Sequence, residues 1–256
     1  MTRKTYPSDL SAREWQLLEP LIPPEKSRGK RRSVDLREIV NGIFYLLHNG
    51  CTWRSLPHDL PPWQTVSTYF YRWQRQGVWE QLNATLRARV RIKEERQPEP
   101  TAGIIDSQSI KTTEKRGERG YDAGKKIKGR KRHILVDTMG MLLTVVVTAA
   151  NVQDRQAAKA VFLEAVDDAP NLELVWADSG YQGQLEASVP IVCGFSLTIV
   201  KRTEPGFKLL PRRWVVERTF AWLGRNRRLS KDYEQLPQVS EAMVYVAMIR
   251  LMLRRL

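Results

Sequence analysis

Apolar and polar positions follow two different periods along the chain, and the change falls near residue 100. Upstream the spacing is helical. Ser11-Ala-Arg-Glu14 has the form of a capping box and predicts a helix running to about Glu19. Asp35-Leu-Arg-Glu38 repeats the form and predicts a second helix, with Ile39, Ile43, Leu46 and Leu47 on one face and a stop at Asn49-Gly50. Pro57, Pro61 and Pro62 mark a bend, after which helices are expected over about 64–75 and 78–93. The stretch QPEPT (97–101) reads as a linker. The expected division is therefore a helical domain over 1–96 and a second domain over 102–256.

Beyond the linker, strand spacing takes over. Residues 103–107 read as a strand, and 131–137 with 142–149 as a hairpin turning at Asp137-Thr-Met-Gly140. The run Val145 to Val147 suggests burial on both faces. A helix over about 153–167 follows, with Ala158, Val161, Phe162 and Ala165 inward. Next come a strand at 173–177, a short helix from Tyr181, a strand at 196–201 and helices over about 211–223 and 240–256. The last is apolar nearly all round from Ala242 to Ile249, which predicts burial or pairing with another surface. Strand, hairpin, helix, strand, helix, strand, helix is an α/β order with a mixed sheet. It matches the ribonuclease H-like order, and order alone leaves other mixed α/β folds open. The N-terminal helices suit a helix-turn-helix-like DNA-binding domain. Its recognition helix would be 64–75, reaching out with Gln64, Ser67, Thr68, Tyr71, Arg72 and Arg75. A plain bundle with Tyr69, Phe70 and Trp73 as core is the alternative.

Charge narrows the partner. The 256 residues carry 42 Lys and Arg against 28 Asp and Glu, a net of +14. Ten basic residues fall within 111–132, including Lys125, Lys126, Lys128, Arg130, Lys131 and Arg132, against three acids. Another ten fall within 201–231 against Glu204 and Glu217. Clustered positive charge of this size implies a polyanion, most often nucleic acid. No apolar run is long enough for a membrane span and no signal peptide is visible, so a cytoplasmic protein is expected. Cys51 and Cys193 lie far apart, and His48, His58 and His133 are scattered, which gives no zinc pattern.

Three acids stand out by position. Asp106 lies in the first strand, Asp178 ends the fourth, and Glu217 lies on a helix at the edge of the stripe Val216, Phe220, Leu223. In a ribonuclease H-like sheet the first and fourth strands are central neighbours, so the two aspartates would lie side by side. The helix could bring Glu217 to them. Three carboxylates in a partly dry site repel one another unless cations neutralise them. Mg²⁺ takes oxygen ligands and keeps positions open for phosphate; two such ions, with Mn²⁺ as a substitute, fit this donor set. Each acid also has a structural reading. Asp178 could cap a turn, Asp106 could end a strand pair, and Glu217 could pair with Arg213 one turn earlier. Among the other candidates, Asp137 reads as a turn residue, Asp154 as an acid in a first helical turn, Asp122 as solvated and His133 as structural.

The blocks IIDSQSIKTT, ADSGYQG and RRWVVERTFAWLGRNRRLSKDYE resemble the catalytic blocks of bacterial insertion-sequence transposases of the DDE class, and most closely the insertion-sequence-five family. GYDAGKKIKGRKRHILVD, LSAREWQLLEPLIPP, GCTWRSLPHDLPPW and VSTYFYRW are similar to it too. The resemblance implies a ribonuclease H-like core, with Asp106, Asp178 and Glu217 as metal ligands and Arg213 as the basic residue before the glutamate. It also implies terminal inverted repeats and target DNA as partners, with a homodimer on DNA. Two positions depart from the pattern: Leu210 stands where relatives often have tyrosine, and Gly224, followed by Arg225, stands where they have a lysine or arginine. The large β insertion of some relatives is missing. Two other readings stay open at this point: a DNA-binding regulator or inactive relic, and a nuclease that cuts without joining.

Overall fold

The computed structural model describes residues 3–24, 34–114, 117–200 and 213–256. Lys115 and Arg116 of the first basic cluster lie outside the described residues, as do Lys201, Arg202, Leu210, Pro211 and Arg212.

The N-terminal part is helical, as the spacing predicts. α1 (Ala12–Leu18) opens with a complete Ser11/Glu14 capping box. α2 (Leu36–Asn49) is capped by Asp35, which accepts from the Arg37 N–H at 2.8 Å. The second predicted box is only half made, because Glu38 turns instead to Arg3 and Asn41. Gly50 ends α2 in the left-handed region at φ 72°, a conformation that glycine adopts without steric cost. Ile39, Ile43, Leu46 and Leu47 are wholly buried. Burial of this kind contributes roughly 1.5–3 kcal/mol per side chain. α3 (Trp63–Arg75) buries Val66, Phe70 and Trp73, and α4 (Val78–Lys93) follows it. Trp79 of α4 packs edge-on against Trp73 with ring centroids 5.3 Å apart, which fixes the α3–α4 corner.

The sheet holds β1 (Ala102–Lys111), β2 (Gly120–Asp122), β3 (Ile127–Asp137), β4 (Leu142–Ala149), β5 (Leu174–Ala177) and β6 (Ser196–Ile199). β3 pairs antiparallel with β1 and with β4; β1 pairs parallel with β5, and β5 with β6. The resulting order, β4-β3-β1-β5-β6 with β2 also on β3, is the ribonuclease H-like arrangement. β2 was not legible as a strand. Its three residues are too few to show a period.

Helices cover both faces. α5 (Asp154–Asp168) and α6 (Gln184–Cys193) pack on the side of Ile105, Leu135, Val175 and Leu197. α7 (Trp214–Gly224) and α8 (Pro237–Leu253) share a cluster with Ile104, Ile134, Val136 and Trp176 on the opposite side. α8 is buried nearly all round, in keeping with its apolar sequence. It also touches α1, α2, α3 and α4, so one apolar cluster runs from Leu10 through the N-terminal helices to Leu253. The step at 97–101 is thus a change from helix to strand, and the core is continuous across it. Among the described residues, no helix is long and apolar enough to cross a membrane.

Where α8 crosses β4, Glu241 accepts from the Val147 N–H at 2.8 Å. Burial pushes its carboxyl up to about 7; Glu164 and Glu80 push the same way, and the Val147 bond and Arg130 oppose them. A folded value above the unfolded one means that stability falls as pH rises from about 4.5 to about 7, and then levels. Glu241→Gln keeps the acceptor and removes the charge. It is expected to stabilise the fold by about 2–3 kcal/mol at pH 8 and by almost nothing at pH 4. Denaturant unfolding at both pH values checks this; equal effects at the two would exclude a buried charge as the cause.

Candidate active site

β1 and β5 run parallel with Ile104 opposite Trp176, and two residues further along each chain stand Asp106 and Asp178. Side chains two apart on a strand share a face. Both aspartates therefore point to the side of Ile104 and Trp176, where α7 lies. Asp178 makes two kinds of contact. Its Oδ1 accepts from the Gly180 N–H at 2.8 Å and caps the short turn Ser179–Tyr181, while its Oδ2 stands 3.5 Å from Arg213 Nη2. The same guanidinium lies 3.7 Å from Asp106 Oδ2. Asp106 Oδ1 accepts from the Ser107 N–H at 2.7 Å. Burial is the main force on the Asp106 carboxyl and pushes it up to about 6; the negative charge of Asp178 adds to this, while Ser107, Arg213 and Lys125 pull back.

The sequence carries Arg213 to this point because α7 is locked to the sheet. Val215, Val216 and Leu223 are buried, and Thr219 Oγ1 donates to Gly140 O at 2.9 Å. Gly140 sits at φ 82° directly under α7, where an added Cβ would lie 2.7 Å from Thr219 Oγ1. Arg218 donates to Met139 O at 2.8 Å and is flanked by Trp214 and Trp222, with centroids at 4.4 and 4.6 Å.

Glu217 is on the same helix, one turn beyond Arg213, but its side chain is exposed. Among the described residues, no three His, Cys, Asp or Glu side chains converge closely enough to hold one ion. The structure thus brings two of the three acids together and leaves the third apart. The aspartate pair itself fits a divalent cation: the donors are hard oxygens, and the buried charge of Asp106 gains most from a positive neighbour.

The basic residues divide. Lys125, Lys126 and Lys128 are exposed around the turn into β3, and Lys125 Nζ reaches Ser107 O at 3.3 Å, beside Asp106. Arg72 and Arg75 are exposed on α3. Arg130, Lys131 and Arg132 require correction, because β3 is a central strand covered on both faces. Arg130 is 1% exposed and bonds Glu118 O, Glu234 O, Gln235 O and Asp232; Arg132 is 1% exposed and donates to Leu229 O. Lys131 Nζ lies between Asp154 Oδ1 at 3.1 Å and Asp122 Oδ2 at 3.6 Å. None of the three is offered to a phosphate.

Lys131 belongs to a polar network that sequence reasoning missed. Ser107 Oγ donates to Asp154 Oδ1 at 2.9 Å and Ser109 Oγ to Asp122 Oδ2 at 2.6 Å, so both hydroxyls tie down β1 just past Asp106. Asp122 is buried here, not solvated. His133 bonds the Thr148 hydroxyl at 3.0 Å, and burial pushes it down to about 4, so it is neutral and structural. The available signal was the Ser-x-Ser spacing in β1, since two hydroxyls on one buried face require polar partners.

Asp106 within β1 and Asp178 just past the end of its parallel neighbour β5, in this sheet order and with Arg213 at the start of α7 beside both, fit the ribonuclease H-like class. Residues 97–252 match the family described as "Transposase DDE domain", and residues 10–83 match "Putative transposase of IS4/5 family". The chain belongs to the DDE transposase family. The "Insertion element IS402 uncharacterized 16.2 kDa protein" of Burkholderia cepacia is 34% identical over 103 residues, which are 38% of this chain and 69% of that protein. The "Putative transposase for insertion sequence element IS402" of the same organism is 34% identical over 126 residues, 44% of this chain and 58% of the relative.

Proposed function

We propose that this protein is a transposase that binds the terminal inverted repeats of an insertion sequence, cleaves at the element ends and joins the 3′-hydroxyl ends to target DNA. The observation that carries this reading is the side-by-side placement of Asp106 and Asp178 beneath Arg213. Asp106, Asp178 and Glu217 are the proposed ligands of two Mg²⁺ ions, which Mn²⁺ replaces; Glu217 joins the pair through an adjustment of α7. Such ions, when bound, activate the attacking oxygen and stabilise the leaving one.

The remaining work falls to the chain itself. Arg213 turns its guanidinium to a phosphate at the cleavage point, where a planar fork suits two oxygens. Lys125, Lys126 and Lys128 hold the flanking backbone, so affinity falls steeply with salt. α3 acts as the recognition helix of a helix-turn-helix-like unit within 1–96, with Arg72 and Arg75 facing DNA, and 102–256 forms the catalytic domain. Two element ends are handled together, which calls for a homodimer on DNA. The protein works in the bacterial cytoplasm, at the nucleoid.

A gel assay with labelled element ends, a target plasmid and Mg²⁺ tests the reading. Cut ends joined to the plasmid are expected. A regulator would bind without cutting, and a simple nuclease would cut without joining; either pattern refutes transposition.

A further inference from the structure

Between the end of α7 and the outer turns of α8 lies a cavity of about 250 Å³. Arg225, Arg250, Arg254 and Arg255 line it, over an apolar floor that includes Trp222 and Met248, and no carboxylate is part of the lining. Among the described residues, the ion pairs of these four arginines reduce to one, Arg254 Nε to Glu14 at 4.0 Å. Arg250 is 8% exposed, yet its contacts are long: His48 Nδ1 and Pro7 O, each at 3.4 Å. Arg255 lies over the Trp222 ring at 4.4 Å. A stacked guanidinium keeps its in-plane N–H groups for other acceptors.

This arrangement is costly as it stands. Burial pulls Arg250 down to about 10, with Arg254 adding to the effect and Glu14 opposing it; Arg255 is lowered by burial and by Arg218, against Glu94 and Asp137. Cations at helix C-termini are favourable, which accounts for Arg225 and Arg254 as caps of α7 and α8. It does not account for the buried Arg250, since Glu14, the acid that acts on it, makes its ion pair with Arg254 instead. An anion in the cavity would supply what the protein leaves out.

We infer that this cavity is a phosphate site, and that on DNA it takes a backbone phosphate of a strand leaving the aspartate pair along α7. Arg225 follows Glu217 by eight residues, about 12 Å along the helix axis and roughly 80° round it. That length is about three to four nucleotide steps of one strand. The DNA half of the inference rests on the function proposed above, while the phosphate half stands alone.

The test uses the full chain and the double variant Arg225→Gln/Arg254→Gln, both positions being exposed. Binding of an element-end duplex is measured across a salt series, and binding of inorganic phosphate by calorimetry. On DNA, the slope of log K against log salt is expected to fall by about two, with about a tenfold loss of affinity per contact at 0.1 M salt. Lost phosphate binding with an unchanged DNA slope upholds the site and assigns it to a free phosphate or nucleotide. An unchanged slope together with unchanged phosphate binding overturns the inference and leaves transposition standing. A wild-type protein that neither binds nor cuts element ends refutes transposition and the DNA half together, and the phosphate measurement still decides the cavity.

Discussion

Asp106→Asn is expected to reduce end cleavage by roughly a thousandfold or more while leaving element-end binding within about twofold. The magnitude follows from what the charge does. A cation that stabilises developing charge at the scissile phosphate lowers the barrier by several kcal/mol, and each 1.36 kcal/mol is about tenfold in rate. Asparagine fills the same volume and can still accept from the Ser107 N–H, which Asp106 Oδ1 accepts at 2.7 Å. β1 therefore keeps its shape at this point, and the change also removes a like charge from beside Asp178. The melting temperature should not fall, and the expected signature is an inactive protein that is well folded and binds DNA. Asp178→Asn should behave alike, because it keeps an oxygen to cap Gly180, at 2.8 Å in the parent. Cleavage retained within tenfold in either variant would sink the assignment of these carboxylates.

How far the site could be read from sequence follows from the range of each interaction. The helices were legible because caps and apolar stripes are local: Ser11, Asp35 and Gly50 act within a turn of their own position. The pairing of Asp106 with Asp178 was legible at second hand, once strand order suggested which strands are neighbours. The fate of β3 was not. A run of Lys and Arg reads as solvated DNA-facing surface, and in isolation it would be. Here the long central strand is covered on both faces, and acceptors drawn from residues as distant as Asp232 and Gln235 make buried guanidinium groups tolerable. Nothing in a window of twenty residues reports such partners. The exposed position of Glu217 was hidden for a related reason. Its place in the helical stripe fixes which side of α7 it occupies, but a turn of helix is too coarse a measure to decide whether a carboxylate reaches an ion.

Asp137 shows the same limit from the side of stability, and Asp137→Ala is expected to destabilise the fold by about 3–5 kcal/mol. Its sequence reading was a turn residue, and that holds: Oδ1 accepts from the N–H groups of Met139 and Met141, both at 2.8 Å. The rest of the carboxylate was hidden from the sequence. It is 0% exposed, and Oδ2 receives Arg91 Nη1 of α4 at 2.6 Å, so one side chain ties the β3–β4 turn to an N-terminal helix. Alanine would strand a guanidinium only 7% exposed and leave two N–H donors unanswered, that of Met141 buried and that of Met139 partly so. A double cycle with Arg91→Ala should return a coupling of at least about 2 kcal/mol, because the second removal relieves the orphaned charge. Asp137→Asn should fall between, since it caps the turn but no longer neutralises Arg91. The same turn supports α7 through Gly140 O to Thr219 and Met139 O to Arg218, and Arg213 at the N-cap of α7 faces both aspartates. Asp137→Ala, assayed well below its melting temperature, should therefore lose cleavage in excess of its loss of folded protein. Equilibrium unfolding and cleavage per folded molecule, measured on the same samples, decide the matter. A destabilisation under about 1 kcal/mol would mean that water replaces the carboxylate without cost, and normal cleavage by the folded fraction would show that α7 holds its place without the turn.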